Sequence, residues 1–179
     1  MYSERVPVQL VTHPLVLDAL VTLRDHRTTA DHFRRAATRI SVLLAAEALR
    51  HLPTRAVSVD TPLGPADGRQ VGVDVVVVPV LRAGLGMLDA VLELVPGARV
   101  GHIGLQRDEI TAVASQYYSK LPARLDSSYV VMIDPMLATG GSAVAALDLL
   151  ARRGAGGPDC LHRSRARRRR ARRTASPRR

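Results

Sequence analysis

The sequence predicts an α/β fold: a parallel-sheet core with N-terminal helices and a β arm, incomplete at its C-terminal side. Residues 74–81, 99–106 and 128–134 are apolar runs of the kind expected for strands buried on both faces of a parallel sheet. The first and third runs lead through a glycine-containing turn into a helical pattern. This repetition of strand, turn and helix indicates a doubly wound sheet, whose ligands gather where the strands end.

The composition allows a sizeable core and assigns the basic charge to one end of the chain. Of the 179 residues, 46% are hydrophobic and only 3% are aromatic, so aliphatic side chains must fill the core. The formal charge of +10 comes from residues 152–179, which hold twelve arginines and one acid. The first 151 residues hold fourteen basic and fifteen acidic residues. The high isoelectric point is therefore not a property of the predicted domain.

The single cysteine and the lack of a recognisable targeting signal indicate a reducing compartment. Cys160 is the single cysteine, which excludes an internal disulfide framework and any site with several cysteine ligands. His13 and His102 are expected to be structural, because no second ligand lies at metal-binding spacing. The N-terminus lacks a signal-like apolar run, and residues 75–81 are too short to span a bilayer. We therefore expect a soluble protein of the cytoplasm.

Two helices are predicted before the first apolar run. Pro14 is placed to begin a helix that runs to about Arg24, with Thr12 or His13 as its N-cap. A second helix is predicted to begin near Asp31, which would serve as the N-cap. Apolar residues then recur every three or four positions and predict one stripe, formed by Phe33, Ala37, Ile40, Leu44 and Ala48.

Residues 55–72 have the pattern of a hairpin-like β arm. Val57 and Val59 alternate with polar residues, the letters TPLGPADG supply turn chemistry, and the alternation resumes at Val71 and Val73. The arm therefore separates the helical portion from the α/β core.

Two further segments of the core are predicted from their composition. A helix is expected from about Met87 to Leu94, after the turn RAGLG. Residues 107–128 are polar and irregular, and they predict a long loop or flap. We expect three side chains of this segment to pack or to close the flap: Tyr117, Tyr118 and Lys120.

The most informative motif is residues 130–142, VVMIDPMLATGGS, which join an apolar strand to a helix. Backbone N–H groups from Ala138 to Ser142, with the Thr139 and Ser142 hydroxyls, can surround a phosphate. Asp134, at the strand's end, can accept hydrogen bonds from the vicinal hydroxyls of a ribose. The absence of a lysine after the glycines excludes a nucleoside-triphosphate P-loop. The plainer interpretation is an ordinary strand-to-helix turn.

The same motif resembles the 5-phosphoribosyl-1-pyrophosphate (PRPP) loop of type I phosphoribosyltransferases, and of uracil phosphoribosyltransferases in particular. Other segments resemble that family in the same order along the chain. Residues 13–16 resemble its N-terminal helix start, 78–87 its pyrophosphate-side loop, 103–109 its arginine-bearing flap, and 117–122 the return of the flap. The likeness covers roughly residues 10–154.

This resemblance implies an enzyme, a glycosyltransferase of the pentosyltransferase class. Its reaction would convert uracil and PRPP to UMP and diphosphate in pyrimidine salvage. The resemblance also implies Mg²⁺ carried by the pyrophosphate of PRPP, a homo-oligomer, and GTP as a possible effector. The alternative is a non-catalytic PRPP-sensing or RNA-binding regulatory protein with a basic tail.

The resemblance also assigns site residues. The expected catalytic residues are Asp134, on the ribose hydroxyls, and Arg107, which would clamp PRPP as the flap closes. Arg82 would present its planar guanidinium to the pyrophosphate, and for either arginine a solvated surface role is the alternative. Asp108 and Glu109 would orient Arg107 or water around Mg²⁺, or serve as its charge partners. The expected PRPP-binding set is Arg82, Arg107, Asp134, Pro135, Met136, Leu137, Ala138, Thr139, Gly140, Gly141 and Ser142.

The C-terminal segment departs from the resemblance. Residues 154–179 contain one Leu and no Val, Ile, Phe or Tyr, and they do not match the Gly- and Pro-rich segment that binds uracil in the family. We therefore expect a partial phosphoribosyltransferase domain over residues 1–153 and a disordered, non-native, Arg-rich tail. The tail is explained by a shifted reading frame, by a basic arm that binds RNA non-specifically, or by a solvated extension. We expect no uracil-binding residue in this chain, impaired activity and poor stability.

Overall fold

A computed structural model of the chain describes residues 9–107, 114–136 and 140–155. No helix within these ranges is long and apolar enough to cross a membrane. The predicted alternation of strands and helices is confirmed. The elements are α1 (Pro14–Arg24), α2 (Ala30–Ala48), β1 (Thr54–Thr61), β2 (Gly64–Val71), β3 (Asp74–Leu81), α3 (Leu85–Leu94), β4 (Arg99–Val100), β5 (His102–Arg107), β6 (Ala114–Lys120), β7 (Ser128–Ile133) and α4 (Gly141–Arg152).

Strand β3 is the centre of the main sheet. It pairs in parallel with β7 on one side and with β4 and β5 on the other, where Gly101 divides the predicted second strand into two. Strand β6 pairs antiparallel with β5 and makes the sheet mixed rather than parallel throughout. The spatial order in the described residues is therefore β7, β3, β4 with β5, and β6.

The interpretation of residues 107–128 as an irregular loop or flap was wrong for Ala114–Lys120, which form β6. The four residues from Ser115 to Tyr118 are exposed. Because this strand pairs through its backbone and buries few side chains, its sequence carries no alternation of apolar and polar residues. The pairing with β5 was therefore invisible in the hydrophobic pattern.

Helices cover the two faces of the sheet in different ways. On one face, Val76, Val78 and Val80 of β3 pack against Ala146 and Leu150 of α4. On the other face, the intervening β3 residues pack against α2 and α3, in a cluster that includes Ala45, Leu49, Val75, Val77 and Val91. The chain therefore crosses from β3 to β4 through α3 on one face of the sheet, and α4, which follows β7, packs on the other face. The winding changes direction between β3 and β7, which is where doubly wound sheets bind ligands.

The two N-terminal helices are confirmed, and the structure corrects the predicted N-cap of the second. His13 caps α1, since its Nδ1 accepts a hydrogen bond from the Leu15 N–H at 3.1 Å. The N-cap of α2 is Thr29, whose Oγ1 accepts a hydrogen bond from the His32 N–H at 3.4 Å. Asp31 is therefore not the cap, and it lies in the first turn, where its carboxylate pairs with Arg35 at 2.8 Å.

The buried face of α2 differs from the predicted apolar stripe. Its most buried positions are Ala36, Ser41 and Ala45, followed by Leu49 just after the helix. Phe33 and Ala48, at the two ends of the stripe, are exposed. Small side chains let α2 pack closely against α1 and α3, so size rather than hydrophobicity selects the buried face.

The β arm is confirmed as a two-stranded antiparallel hairpin, paired from Thr54 with Val71 to Thr61 with Gly64. Gly64 adopts φ +119°, a conformation that side-chain-bearing residues rarely adopt. The Thr61 hydroxyl stabilises the turn by accepting from the Leu63 N–H at 3.2 Å and donating to the Gly64 carbonyl at 2.7 Å. Most arm residues are exposed, and Leu63 at the tip is fully so.

Three strands are fastened together at the amino end of the sheet. Asp74 begins β3, Arg99 begins β4 and Ser128 begins β7. Arg99 donates to both carboxylate oxygens of Asp74 and to the Ser128 hydroxyl at 3.1 Å, and that hydroxyl donates to Asp74 at 2.7 Å. Hydrogen bonds from Arg99 hold the pKa of the Asp74 carboxyl below its usual value.

Candidate active site

The switch point brings the ends of β3 and β7 side by side. The two strands pair in register up to Pro79 and Ile133, so Asp134 follows immediately at the carboxyl edge. Arg82 follows the end of β3 at the same edge. Helix α4 begins at Gly141, seven residues after Asp134. The structure therefore brings together three of the groups that the sequence assigns to one site.

The loop between β3 and α3 is pressed against the end of β7. A Cβ atom at Gly84 would lie 2.6 Å from the Ile133 carbonyl oxygen and 2.7 Å from the backbone nitrogen of Val80. The Gly84 N–H donates to the Val80 carbonyl at 2.8 Å, which turns the chain back on itself. The Leu81–Arg82 peptide bond is cis. Only glycine fits at position 84, so this residue holds the loop that carries Arg82.

The Arg82 side chain is exposed and makes no hydrogen bond or ion pair with the described residues. An arginine of this kind presents five N–H donors in a fixed plane and stays charged at any physiological pH. It can therefore bind a phosphate or pyrophosphate oxygen pair without first breaking a bond within the described part of the chain.

Asp134 is half-buried at the other side of the switch point. Its Oδ1 accepts a hydrogen bond from the Met136 N–H at 3.2 Å, which forms a turn over Pro135. Its Oδ2 receives no hydrogen bond from the described residues. One carboxylate oxygen thus fixes the start of the loop, and the other is available to a hydroxyl donor. Pro135 and Met136 are exposed.

The N-terminus of α4 offers uncapped amides. Its N-cap is Gly140 at φ +79°, which carries no side chain that could accept from the first-turn N–H groups. The Gly140 carbonyl accepts from the Val144 N–H at 2.9 Å and closes the first turn. Gly141 is exposed and Ser142 is half-buried. Free amides and the positive end of the helix dipole favour an anion here.

Several predicted site residues lie partly or wholly outside the residues that the structure describes. Leu137, Ala138 and Thr139 lie outside the described residues, as do Asp108 and Glu109. The backbone of Arg107 is described as the last residue of β5, paired with Ala114, whereas its side chain lies outside the description.

Strand β5 extends to the same carboxyl edge. Its Gly104 pairs with Leu81, the residue before Arg82, so β5 continues three residues beyond this level to Arg107. The backbone position predicted for the clamp therefore lies at the edge that also carries Arg82.

The sequence did not reveal one feature of this edge, the contact between Tyr117 and Gly104. A Cβ atom at Gly104 would lie 2.6 Å from Cζ of the Tyr117 ring, so the ring rests directly on the glycine backbone. The sequence signal for this contact is the pair of adjacent aromatics, Tyr117 and Tyr118, in a polar segment. It can be interpreted only once β6 is known to pair with β5, because that pairing places the aromatics opposite Gly104.

The described residues hold no group of three or more His, Cys, Asp or Glu side chains placed to bind a metal ion. Mg²⁺ in proteins is commonly held by one or two carboxylates together with phosphate oxygens of a substrate.

Comparison with known proteins identifies the family. A sequence model described as uracil phosphoribosyltransferase matches residues 10–159. The chain belongs to the uracil phosphoribosyltransferase family. By homology it is a phosphoribosyltransferase, an enzyme of the pentosyltransferase class, as the motif predicted.

Individual relatives of this family agree with the match. The uracil phosphoribosyltransferase of Dictyoglomus thermophilum is 49% identical over 148 residues, which cover 82% of this chain and 72% of the relative. That of Clostridium perfringens is 46% identical over 146 residues. The solved structure of the AQ2163 protein from Aquifex aeolicus superposes with a TM-score of 0.75 at 37% identity, over 82% of this chain and 70% of that one. The two uracil phosphoribosyltransferases and the Aquifex protein are each longer than the region that they share with the chain.

Proposed function

We propose that this chain binds Mg²⁺-PRPP at the carboxyl edge of its sheet and carries the machinery that transfers the phosphoribosyl group to uracil. The observation that supports this most directly is that Arg82 and Asp134 follow the ends of two neighbouring parallel strands at the switch point, and that the uncapped helix α4 begins shortly after Asp134. Each group is suited to a different part of PRPP. The Arg82 guanidinium suits the pyrophosphate, the Asp134 carboxylate suits the ribose diol, and the α4 N-terminus suits the 5′-phosphate.

The proposed reaction is a displacement at the anomeric carbon of the ribose. N1 of uracil forms a bond to C1′ as the bond from C1′ to the pyrophosphate oxygen breaks, and the N1 proton leaves to solvent or to the departing pyrophosphate. Positive charge develops on the ribose in between. The Asp134 carboxylate would hold the ribose hydroxyls and stabilise this charge. Arg82, with Arg107 from the end of β5, would neutralise the leaving group.

The remaining site assignments follow the loop. The amides from Ala138 to Ser142, with the Thr139 hydroxyl, would hold the 5′-phosphate, and residues 135–137 would join them to Asp134. Mg²⁺ would enter on the pyrophosphate of PRPP, as part of the substrate, and would neutralise the charge that develops on the leaving group.

We further propose that uracil capture, and not PRPP binding, is impaired in this form of the protein. Residues 160–179 follow the matched region and contain ten arginines, with Leu161 as their one large aliphatic residue. A pyrimidine site needs apolar walls beside its hydrogen-bonding groups, and this composition supplies almost no apolar side chains for them. Under this proposal residues 1–153 form the phosphoribosyltransferase domain and residues 154–179 a non-native tail.

We propose in addition that this form has low stability. Strand β7 has the apolar sequence SYVVMI of an interior strand, and residues 154–179 supply only one large aliphatic side chain to cover this part of the sheet. A cavity of about 230 Å³ lies beside β7, lined by Tyr129–Met132 and by residues of α2 and of the segment before α1. Apolar surface without such cover favours association with other chains. Size-exclusion chromatography of the purified chain should show concentration-dependent aggregates, and a stable monodisperse species would contradict this point.

The test of the proposed function is calorimetric titration of the full chain with Mg²⁺-PRPP, followed by a uracil turnover assay. We expect saturable binding, weakened about tenfold or more by Arg82→Ala because a charge-assisted contact is lost. Arg124→Ala is the matched control: it removes another exposed arginine, next to the amino-end cluster, and should leave binding unchanged. An unaltered chain that does not bind PRPP would refute the proposal.

Turnover separates the remaining alternatives. Binding of PRPP without UMP formation agrees with impaired uracil capture and also with a non-catalytic PRPP sensor. Normal turnover would refute the impairment. The RNA-binding alternative predicts that deletion of residues 155–179 abolishes RNA binding, and retention of RNA binding after this deletion would oppose a tail anchor.

We also propose that the β arm binds a second copy of the chain. The two arm strands pair with each other as a separate sheet, and their burial patterns are almost entirely exposed. A hairpin with exposed Val59, Leu63 and Val71 gains stability by packing against another surface. Light scattering of Leu63→Ser should show a smaller assembly than the unaltered chain. Regulation by GTP stays a prediction from the resemblance.

A further inference from the structure

The hairpin of β5 and β6 carries a bulge at the edge of the candidate site. Gly104 pairs with Tyr118 and Leu105 pairs with Gln116, which leaves Tyr117 without a partner across the hairpin. A bulge of this kind bends the strand and re-aims the side chain of the extra residue. Here the re-aimed side chain is an aromatic ring.

The Tyr117 ring lies on the backbone of Gly104. Its Cζ and Cε2 atoms are 2.6 Å and 2.7 Å from the position that a Cβ atom would take at Gly104. Gly104 is buried as a result, whereas Tyr117 itself is 55% exposed. The ring therefore covers main chain at the sheet's edge rather than filling the core. Its hydroxyl makes no hydrogen bond with the described residues.

This contact adjoins the loop that carries Arg82. Gly104 is the register partner of Leu81, and Val80 and Ile103, the preceding pair, point into the core beneath α4. Leu81 and Gly104 therefore face the opposite side, where α3 packs and where the Arg82 loop leads. The ring is thus wedged at the root of the hairpin, on the same face and at the same end as that loop.

We propose that Tyr117 is a positioning residue that sets the angle of the β5–β6 hairpin relative to the Arg82 loop, and so tunes the affinity for PRPP. The proposal rests on the proposed function for its ligand. Beyond the pair of Leu81 with Gly104, the described residues place no strand beside β5 on its β3 side. The ring on Gly104 is a contact that restrains the bulged strand at this level. Misplacement by about 1 Å is enough to weaken a charge-assisted contact.

The test compares three variants of the full chain with the unaltered chain in calorimetric titrations with Mg²⁺-PRPP. Tyr117→Ala removes the ring and is expected to weaken binding about five- to tenfold. Tyr117→Phe keeps the ring and is expected to rescue binding to within about twofold. Tyr118→Ala is the matched control, because the Tyr118 atom closest to the Cβ position of Gly104 is its own Cβ, at 2.9 Å, and alanine keeps that atom. It should bind PRPP like the unaltered chain.

A second readout separates this inference from the proposed function. Amide hydrogen exchange at Leu105 and Gln106 should become faster in Tyr117→Ala than in Tyr118→Ala, with thermal midpoints that agree for the two variants. Equal binding and equal exchange in these variants would overturn the inference, as would a loss of binding that follows the thermal midpoint. If the unaltered chain does not bind PRPP, the proposed function fails and the tuning of PRPP affinity fails with it. The exchange difference would then still decide whether Tyr117 holds the hairpin.

Discussion

The two ends of the central sheet satisfy their polar groups in opposite ways. At the amino end, Asp74, Arg99 and Ser128 begin three strands and bond one another. At the carboxyl end, Arg82 has no partner among the described residues, and Asp134 keeps one oxygen free of them. The same strands are thus fastened at one end and left open to a ligand at the other. Accessible polar groups without protein partners are solvated, and a ligand can take the place of that water.

The largest effect expected from breaking this contrast is that of Gly84→Ala. The new methyl group would meet backbone atoms of Ile133 and Val80 at 2.6–2.8 Å, and neither can move without disturbing the sheet. We expect the free energy of unfolding to fall by about 2–3 kcal/mol and PRPP binding to be lost with it. Chemical denaturation of the variant measures the first quantity.

Gly86→Ala provides the matched control two residues away. A Cβ atom at Gly86 meets nothing within 4 Å, and the residue lies in the first turn of α3. Alanine there should leave stability unchanged or raise it by up to about 1 kcal/mol. Equal stability of the two variants would show that the loop is not held against β7 as described.

The next effect concerns ligand binding alone. Asp134→Asn keeps the turn, since the side-chain oxygen still accepts from the Met136 N–H, but it removes the charge. We expect about tenfold weaker binding of Mg²⁺-PRPP with a thermal midpoint within about 2 °C of the unaltered chain. Titration calorimetry and thermal denaturation give the two values. A fall in stability with unchanged PRPP affinity would assign Asp134 a structural role instead.

The fold was predictable wherever the pattern of burial reflects the structure directly. The run 74–81 gave the central strand, because a strand covered on both faces must be apolar throughout. Strand β6 was missed because Ser115–Tyr118 are exposed and the strand pairs with β5 through its backbone. The buried face of α2 was misplaced because close packing there selects Ala36 and Ala45 for their small size.

The site was predictable by residue type and order but not by geometry. Asp134 and the glycines at the start of α4 predict a ligand loop, because a carboxylate and small residues there follow a buried strand and precede a helix N-terminus. The tight fit of Gly84 against Ile133 and the ring of Tyr117 on Gly104 depend on which strands are neighbours. Strand neighbours are a tertiary property that local sequence patterns do not encode.

The smallest effect expected concerns the fastened end. Arg99 holds the pKa of Asp74 below its usual value, so the folded chain binds that proton less readily than the unfolded chain does. The resulting stability is present above the unfolded pKa of about 3.9 and is lost as the pH falls through the lower folded value. Asp74→Asn should lower the thermal midpoint at pH 7 by about 2 °C, because both side chains are partly exposed and solvent screens the pair.

The pH dependence distinguishes this pair from an ordinary surface contact. The midpoint difference between the unaltered chain and Asp74→Asn should shrink as the pH is lowered from 6 past the unfolded pKa of about 3.9 and through the lower folded pKa. Asp31→Asn is the control. Asp31 pairs with Arg35 within helix α2, four residues away, so this ion pair does not connect strands of the sheet. A difference for Asp74→Asn that is independent of pH would mean that hydrogen bonding to Ser128, and not the charge of Asp74, fastens the amino end.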